Sequence, residues 1–132
     1  MFMFVHHVHY VVEDLEKVIS YMEKNFEMLL DHKGENTERG YNEAIYKVGR
    51  TLIEFTQPTK IDTSMAKFLQ QKGPGVFHVA WGTDLLEEKA KRLASKGVKL
   101  RDSGIGKSPR GYKTLNFDLS DSIGTLFQLA QG

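Results

Sequence analysis

The chain contains no cysteine. Disulfides and thiolate ligands are therefore excluded, and any metal must be held by nitrogen and oxygen. A charge excess is missing as well. Eighteen basic residues face 17 acidic ones for a net +1, and no basic stripe suggests a nucleic-acid partner. No stretch approaches the roughly 18 apolar residues that a membrane-spanning helix needs. The opening Met1-Phe2-Met3-Phe4 is apolar but brief. It lacks a basic lead and a small-residue cleavage site, so it does not read as a signal peptide. These absences point to a reduced, cytoplasmic setting, with no membrane and no nucleic acid involved. With 132 residues, the chain is one domain's worth and long enough for a real core.

What the chain does have is a copy of itself. Val5-His6-His7-Val8-His9-Tyr10 near the start is echoed by Val76-Phe77-His78-Val79-Ala80-Trp81. Arg39-Gly40-Tyr41 returns as Arg110-Gly111-Tyr112, and Thr51-Leu52-Ile53-Glu54-Phe55 as Thr125-Leu126-Phe127-Gln128-Leu129. His7 and His78 are 71 residues apart, as are Arg39 and Arg110, while Glu54 and Gln128 are 74 apart. One domain made of two repeats is expected, about 1–57 and 75–132, joined by a connector at 58–74.

Each repeat reads β-α-β-β-β. The β-branched and aromatic run from Phe4 to Val12 is a strand. Asp14 is placed to cap a helix whose apolar face is Leu15, Val18, Ile19, Met22 and Phe26. Met28 to Asp31 reads as a short strand and Lys33 to Gly40 as a polar loop. Tyr41–Val48 and Leu52–Thr56 form a hairpin around Gly49-Arg50. In the connector, Ser64 to Leu69 reads as a short helix, ended by Lys72-Gly73-Pro74-Gly75. The second repeat follows suit. Val76–Trp81 is a strand, Asp84 a cap, and Leu85, Leu86, Ala90, Leu93 and Ala94 a helix face closed by Gly97. A strand starts at Val98–Leu100, and Asp102–Arg110 is a Gly/Ser-rich loop. Tyr112–Leu119 and Thr125–Ala130 make a second hairpin around Asp121-Ser122-Ile123-Gly124. Strand alternation puts His7 and His9 on one face and Phe4, Val8, Tyr10 and Val12 on the other. Glu54, His78 and Gln128 also alternate with apolar neighbours. An α+β fold follows, with helix-covered cores and a polar cup built from both repeats.

His7, Glu54, His78 and Gln128 are candidate metal ligands. Imidazole and carboxylate oxygen suit divalent Co, Ni, Zn, Mn or Fe, and the ligand types do not choose among them. The ordinary reading is two packed strand histidines beside two polar residues. His9 is a candidate proton donor or substrate contact, or a rim histidine that fills space. His6 should face away from the cup. Lys107 and Arg110 stand in a glycine-containing loop able to cover a substrate or meet phosphates, and otherwise a plain surface loop. Thr114, the repeat's counterpart of Glu43, is a further candidate substrate contact.

These residues resemble the vicinal oxygen chelate superfamily, which includes glyoxalases, bleomycin resistance proteins and extradiol dioxygenases. The likeness covers nearly the whole chain and is closest to the methylmalonyl-CoA epimerases. It is carried by His7-Val8-His9-Tyr10-Val11-Val12-Glu13-Asp14-Leu15, by Leu52-Ile53-Glu54-Phe55-Thr56-Gln57-Pro58, by Arg39-Gly40-Tyr41-Asn42-Glu43-Ala44-Ile45 and by Gly73-Pro74-Gly75-Val76-Phe77-His78-Val79-Ala80-Trp81. The resemblance implies paired β-α-β-β-β modules and a divalent metal on His7, Glu54, His78 and Gln128. It also implies Glu43 as a catalytic base, a CoA thioester or similar small molecule as substrate, and a homodimer. The implied activity is removal of a proton α to a carbonyl, as in an acyl-CoA epimerase. A glyoxalase-I-like lactoylglutathione lyase and a non-catalytic drug-binding protein are the alternatives. One position departs from the pattern: the fourth ligand is normally Glu, and in this chain it is Gln128. An amide oxygen can bind a metal but cannot take a proton at neutral pH.

Overall fold

The computed structural model describes residues 4–101, 104–121 and 123–132. The readings on Met1-Phe2-Met3, on Asp102 and Ser103 and on Ser122 lie outside the described residues. The elements run β1 (Phe4–Val11), α1 (Leu15–Phe26), β2 (His32–Asn36), β3 (Tyr41–Val48), β4 (Thr51–Pro58), α2 (Ser64–Lys72), β5 (Gly75–Gly82), α3 (Leu86–Ser95), β6 (Gly106–Lys107), β7 (Lys113–Asn116) and β8 (Leu126–Gln131). This is β-α-β-β-β twice, with α2 in the connector. The chain divides into two compact units. One is Val8–Phe77; the other joins the residues up to His7 to His78–Gly132. The divisions fall inside β1 and inside β5.

In the Val8–Phe77 unit the strand order is β2-β3-β4-β1. β3 and β4 pair antiparallel in the register Glu43↔Thr56, Ala44↔Phe55 and Ile45↔Glu54. Gly49 closes the hairpin at φ +61°, a left-handed conformation that suits glycine. α1 begins where Asp14, in extended backbone, accepts a hydrogen bond from Lys17 N at 3.2 Å. Leu15 N donates to Gln57 Oε1 at 2.8 Å. Two of the helix's orphan donors are thus satisfied. Val12, Leu15, Ala44, Tyr46 and Phe55 form the core, with Tyr10, Val18, Ile19 and Met22 packed on it. Phe26 was expected on this face but is 54% exposed. It ends the helix, and the chain leaves the core through Glu27 in a left-handed turn.

β2 corrects the expectation of a strand at Met28–Asp31 followed by a loop. The strand is His32–Asn36, paired with β3 along His32↔Ile45 to Asn36↔Tyr41. As an edge strand it has little apolar surface to bury, so no hydrophobic alternation marks it. Its charges also discourage edge pairing, and Lys33 forms an ion pair with Glu16.

In the other unit the order is β5-β8-β7-β6, with the start of β1 beyond β5. β5 and β8 run parallel, with His78↔Leu126 and Ala80↔Gln128. β7 and β8 are antiparallel, with Thr114↔Ala130 and Asn116↔Gln128. Leu86, Leu115 and Leu129 are the core, joined by Ala90, Leu93, Leu100 and Phe117. Asp84 is not the helix cap. Thr83 Oγ1 accepts from Leu85 N at 3.1 Å and Gln131 Oε1 from Leu86 N at 3.0 Å. α3 therefore starts one residue later than expected, leaving Leu85 and Ala94 exposed. Val98–Leu100 does not start a strand; Leu100 makes an isolated bridge with Phe117. The expected hairpin strand from Tyr112 to Leu119 is shorter, Lys113–Asn116, followed by a 3-10 turn at Leu119–Asp121. No described helix is long and apolar enough to cross a membrane.

Candidate active site

The nitrogen donors are together in one unit. His7 is 1% exposed, and its Nε2 lies 2.8 Å from His78 Nε2. β5 and β8 place His78 and Gln128 on one face, because Ala80 is the register partner of Gln128 and alternation returns to His78. Asn116 and Thr114 share that face through their pairing with Gln128 and Ala130. Gln128 Nε2 donates to Asn116 Oδ1 at 2.8 Å, which fixes the amide's orientation. Its other end, Oε1, is buried and has no hydrogen-bond partner of good geometry. Leaving such an acceptor unsatisfied costs about 1–3 kcal/mol.

His7 is held neutral. Burial is the main cause. The neighbouring His78 and His6 rings add to it, as does Arg110, and together they push its pKa down to about 2. The Gln128 side chain beside it pulls weakly the other way. A neutral imidazole is the form that can lend a lone pair to a cation. Two imidazole nitrogens in contact and an orphaned amide oxygen are donors that a borderline divalent ion accepts. The residues present therefore fit the metal that the family resemblance implies. Among the described residues, no three His, Asp or Glu side chains are grouped to hold a metal by themselves, so the amide oxygen matters to the set.

His6 adjoins His7 in space as well as in sequence. It is buried, with its Nδ1 2.8 Å from His7 Nδ1. Tyr112, which the sequence did not single out, packs its ring 4.6 Å from that of His6 and 5.3 Å from that of His7. The only sequence signal for either was position: His6 adjoins a candidate ligand, and Tyr112 belongs to a repeated triplet. Thr114 is buried on β7, while Lys107 and Arg110 are exposed.

The carboxylates belong to the other unit. The β3–β4 register puts Tyr41, Glu43, Ile45, Glu54 and Thr56 on one face, away from the α1 core. Glu54 is 8% exposed. Glu43 Oε2 is 3.5 Å from His32 Nε2, and its side chain keeps some exposure. Tyr41 reports the local field: burial raises its pKa, with the Glu43 and Glu54 carboxylates adding to the rise. His9 lies on this face too, its Nε2 2.7 Å from Thr56 Oγ1 and its ring edge-on to Phe77.

A family model described as the glyoxalase/bleomycin resistance protein/dioxygenase superfamily matches residues 6–114. The chain belongs to this superfamily. Within it, a Mycobacterium tuberculosis methylmalonyl-CoA epimerase is similar at 27% identity and TM-score 0.86, covering 96% of this chain and 86% of that one. A Streptomyces coelicolor methylmalonyl-CoA epimerase, solved with 2-nitronate-propionyl-CoA, is similar at 22% identity and TM-score 0.89, covering 100% of this chain and 99% of that one. The latter likeness shows the fold alone. A curated relative, the uncharacterized protein YqjC of Bacillus subtilis (strain 168), is 24% identical over 95% of this chain and 89% of its own length. Two β-α-β-β-β units, each a mixed sheet with a helix on it, are the fold expected of this superfamily.

Proposed function

We propose that this protein is a metal-dependent enzyme that removes the proton α to the carbonyl of an acyl-CoA or related thioester, in the manner of a methylmalonyl-CoA epimerase. The observation that carries the reading is the Gln128 Oε1, buried beside the His7–His78 nitrogen pair without a hydrogen bond of good geometry. His7, His78 and Gln128 would hold the divalent cation. The bound cation would supply Lewis acidity toward the substrate carbonyl. Similarity to epimerases whose structures contain methylmalonyl-CoA-type ligands supports the substrate class.

Glu43 is the base in this reading. A carboxylate held on a polar strand face with part of its side chain exposed can take an α-proton and return it. Epimerisation by two bases needs a second acceptor on the opposite side of the substrate. Gln128 cannot serve, and the Nε2 of His9 is engaged by Thr56. The reaction expected of this chain is therefore one-base exchange with little inversion.

The test is to incubate the untagged protein, loaded in turn with Co, Ni, Zn or Mn, with methylmalonyl-CoA and a panel of acyl-CoA thioesters in deuterated water. Deuterium should enter the α position with the configuration largely retained. Gln128→Glu should shift the outcome toward inversion. No exchange on any thioester with any metal would reject the proposal.

A further inference from the structure

Glu43 has a histidine beside it, and a glycine makes room for that histidine. β2 and β3 pair His32↔Ile45, Gly34↔Glu43 and Asn36↔Tyr41. Residues directly opposite across two strands share a face, so His32, Gly34 and Asn36 stand on the face of Glu43. Asn36 is turned to Tyr41, its Nδ2 donating to Tyr41 Oη at 3.3 Å. Straight across from Glu43 there is no side chain, because that residue is Gly34. The diagonal neighbour His32 uses the space, and its Nε2 lies 3.5 Å from Glu43 Oε2. A Cβ on residue 34 would stand 3.0 Å from His32 Nε2 and 3.4 Å from its Cε1. The imidazole therefore lies over Gly34, and the bare backbone there lets it reach the carboxylate.

The two side chains differ in their access to water: Glu43 is 15% exposed and His32 44%. A one-base exchange has a use for that difference. Once the Glu43 carboxylate has taken an α-proton, the resulting acid has two courses. It returns the same proton to carbon, which leaves no trace, or it loses the proton to solvent first. The second course needs an acceptor that touches both the carboxyl and water. An imidazole accepts a proton at one nitrogen and releases one from the other. A separation of 3.5 Å is long for a hydrogen bond, as catalytic contacts often are before substrate binds.

We propose that His32 is a positioning residue that acts through Glu43, carrying the abstracted proton from its carboxyl to solvent, and that Gly34 leaves the space in which it does so. The inference rests on the reading of Glu43 as the base. The steps balance. The Cα–H bond breaks, its electron pair stays on the substrate as the enolate, and an O–H bond forms on Glu43. That proton moves to His32 Nε2, which restores the carboxylate and makes an imidazolium. The imidazolium gives a proton to water and takes a deuteron from the solvent. The deuteron returns through Glu43 to carbon. Solvent is the only other reactant, and nothing is oxidised or reduced.

The experiment follows α-proton exchange of methylmalonyl-CoA by the Co2+-loaded full chain, in wild type, His32→Ala and Gly34→Ala. Gly34 is not among the glycines of positive φ, so alanine suits the backbone and acts by pushing the imidazole aside. Exchange should slow in both variants by up to about 100-fold, the lower end of what a positioned proton-transfer group contributes. Two further readouts separate a relay from a disturbed strand. The primary isotope effect on loss of an α-deuteron should be smaller in both variants than in wild type, because the proton now returns to carbon many times before it escapes. Imidazole added to the buffer should restore exchange to His32→Ala. An undiminished isotope effect, or no rescue, overturns the relay. Calorimetric Co2+ affinity should be the same in all three proteins, and a loss in parallel with exchange also overturns it. If the wild type exchanges and His32→Ala does so at the same rate, the relay alone falls. If the wild type exchanges nothing, the proposed function falls and the relay with it.

Discussion

The two units use the same scaffold for different chemistry. In one, Val12 N bonds Thr56 O and Leu15 N bonds Gln57 Oε1. In the other, Thr83 N bonds Ala130 O and Leu86 N bonds Gln131 Oε1. Each pair repeats the other at the offsets of the sequence copy, so a glutamine at the end of the last strand fastens the first turn of each unit's helix. The polar faces do not match. The Val8–Phe77 unit offers carboxylates, Glu43 and Glu54. The His78–Gly132 unit offers His7, His78, Gln128 and Thr114 and has no acid on its face at the repeat-equivalent positions. Backbone-fastening residues thus persist in both copies, while the residues that bear chemistry have diverged into complementary sets.

The largest test of this contrast is at the nitrogen pair. His78→Ala removes one donor and leaves His7 buried without its partner. Metal affinity measured by calorimetry should fall by roughly 100-fold or more, beyond the usual effect of removing a supporting residue. Removing the exposed Lys107 should leave affinity unchanged.

Acid should act selectively through the unit with the buried histidines. The folded pKa of His7 lies well below its unfolded value, and that of His6 is lowered as well, mainly by burial. Between the folded and unfolded values the unfolded chain binds the proton and the folded chain does not. Stability is therefore full above about pH 6.5 and declines as pH falls, by up to about 1.4 kcal/mol per pH unit for each such histidine. Urea denaturation of the metal-free protein from pH 7.5 to 4.5 should show this decline, and His6→Phe should make it shallower.

The smallest effects separate the two helix starts. Gln131→Ala should cost about 1–2 kcal/mol, since α3 has no side-chain bond from its own cap residue. Gln57→Ala should cost less, about 1 kcal/mol or below, because Asp14 still caps α1. Thermal unfolding of both variants reads the difference directly. Equal losses would show that the Asp14 cap does not compensate for the missing Gln57 bond.

The sequence made the scaffold legible where burial imposes a period. β1, α1 and the β3–β4 hairpin announce themselves through alternation, the Asp14 cap and Gly49-Arg50. β2 was hidden because an edge strand of His, Lys, Gly, Glu and Asn has no apolar face to show. Asp84 misled because Asp14 caps its own helix, whereas the repeat-equivalent turn uses Thr83 and Gln131 from outside the helix. Such a long-range side-chain bond leaves no local mark, and Gln57 and Gln131 were missed for that reason. In the site, the repeat exposed His7, His78 and Gln128, and the β3–β4 register puts Glu43 and Glu54 on one face. The contact between His6 and His7 was not legible. Alternation sends adjacent side chains to opposite faces, yet two neighbouring imidazoles can still meet through the Nδ1 atoms nearest the backbone.

Metal holding and proton removal should be separable in this protein, the first depending on the histidines and the second on Glu43. The direct measurement is Co2+ affinity and α-proton exchange, both made on Glu43→Gln and wild type at saturating metal. Unchanged affinity is expected, with exchange slowed by about 10²–10⁴-fold, the usual contribution of a positioned base. Exchange at the wild-type rate, or a parallel loss of metal affinity, would contradict that division of labour.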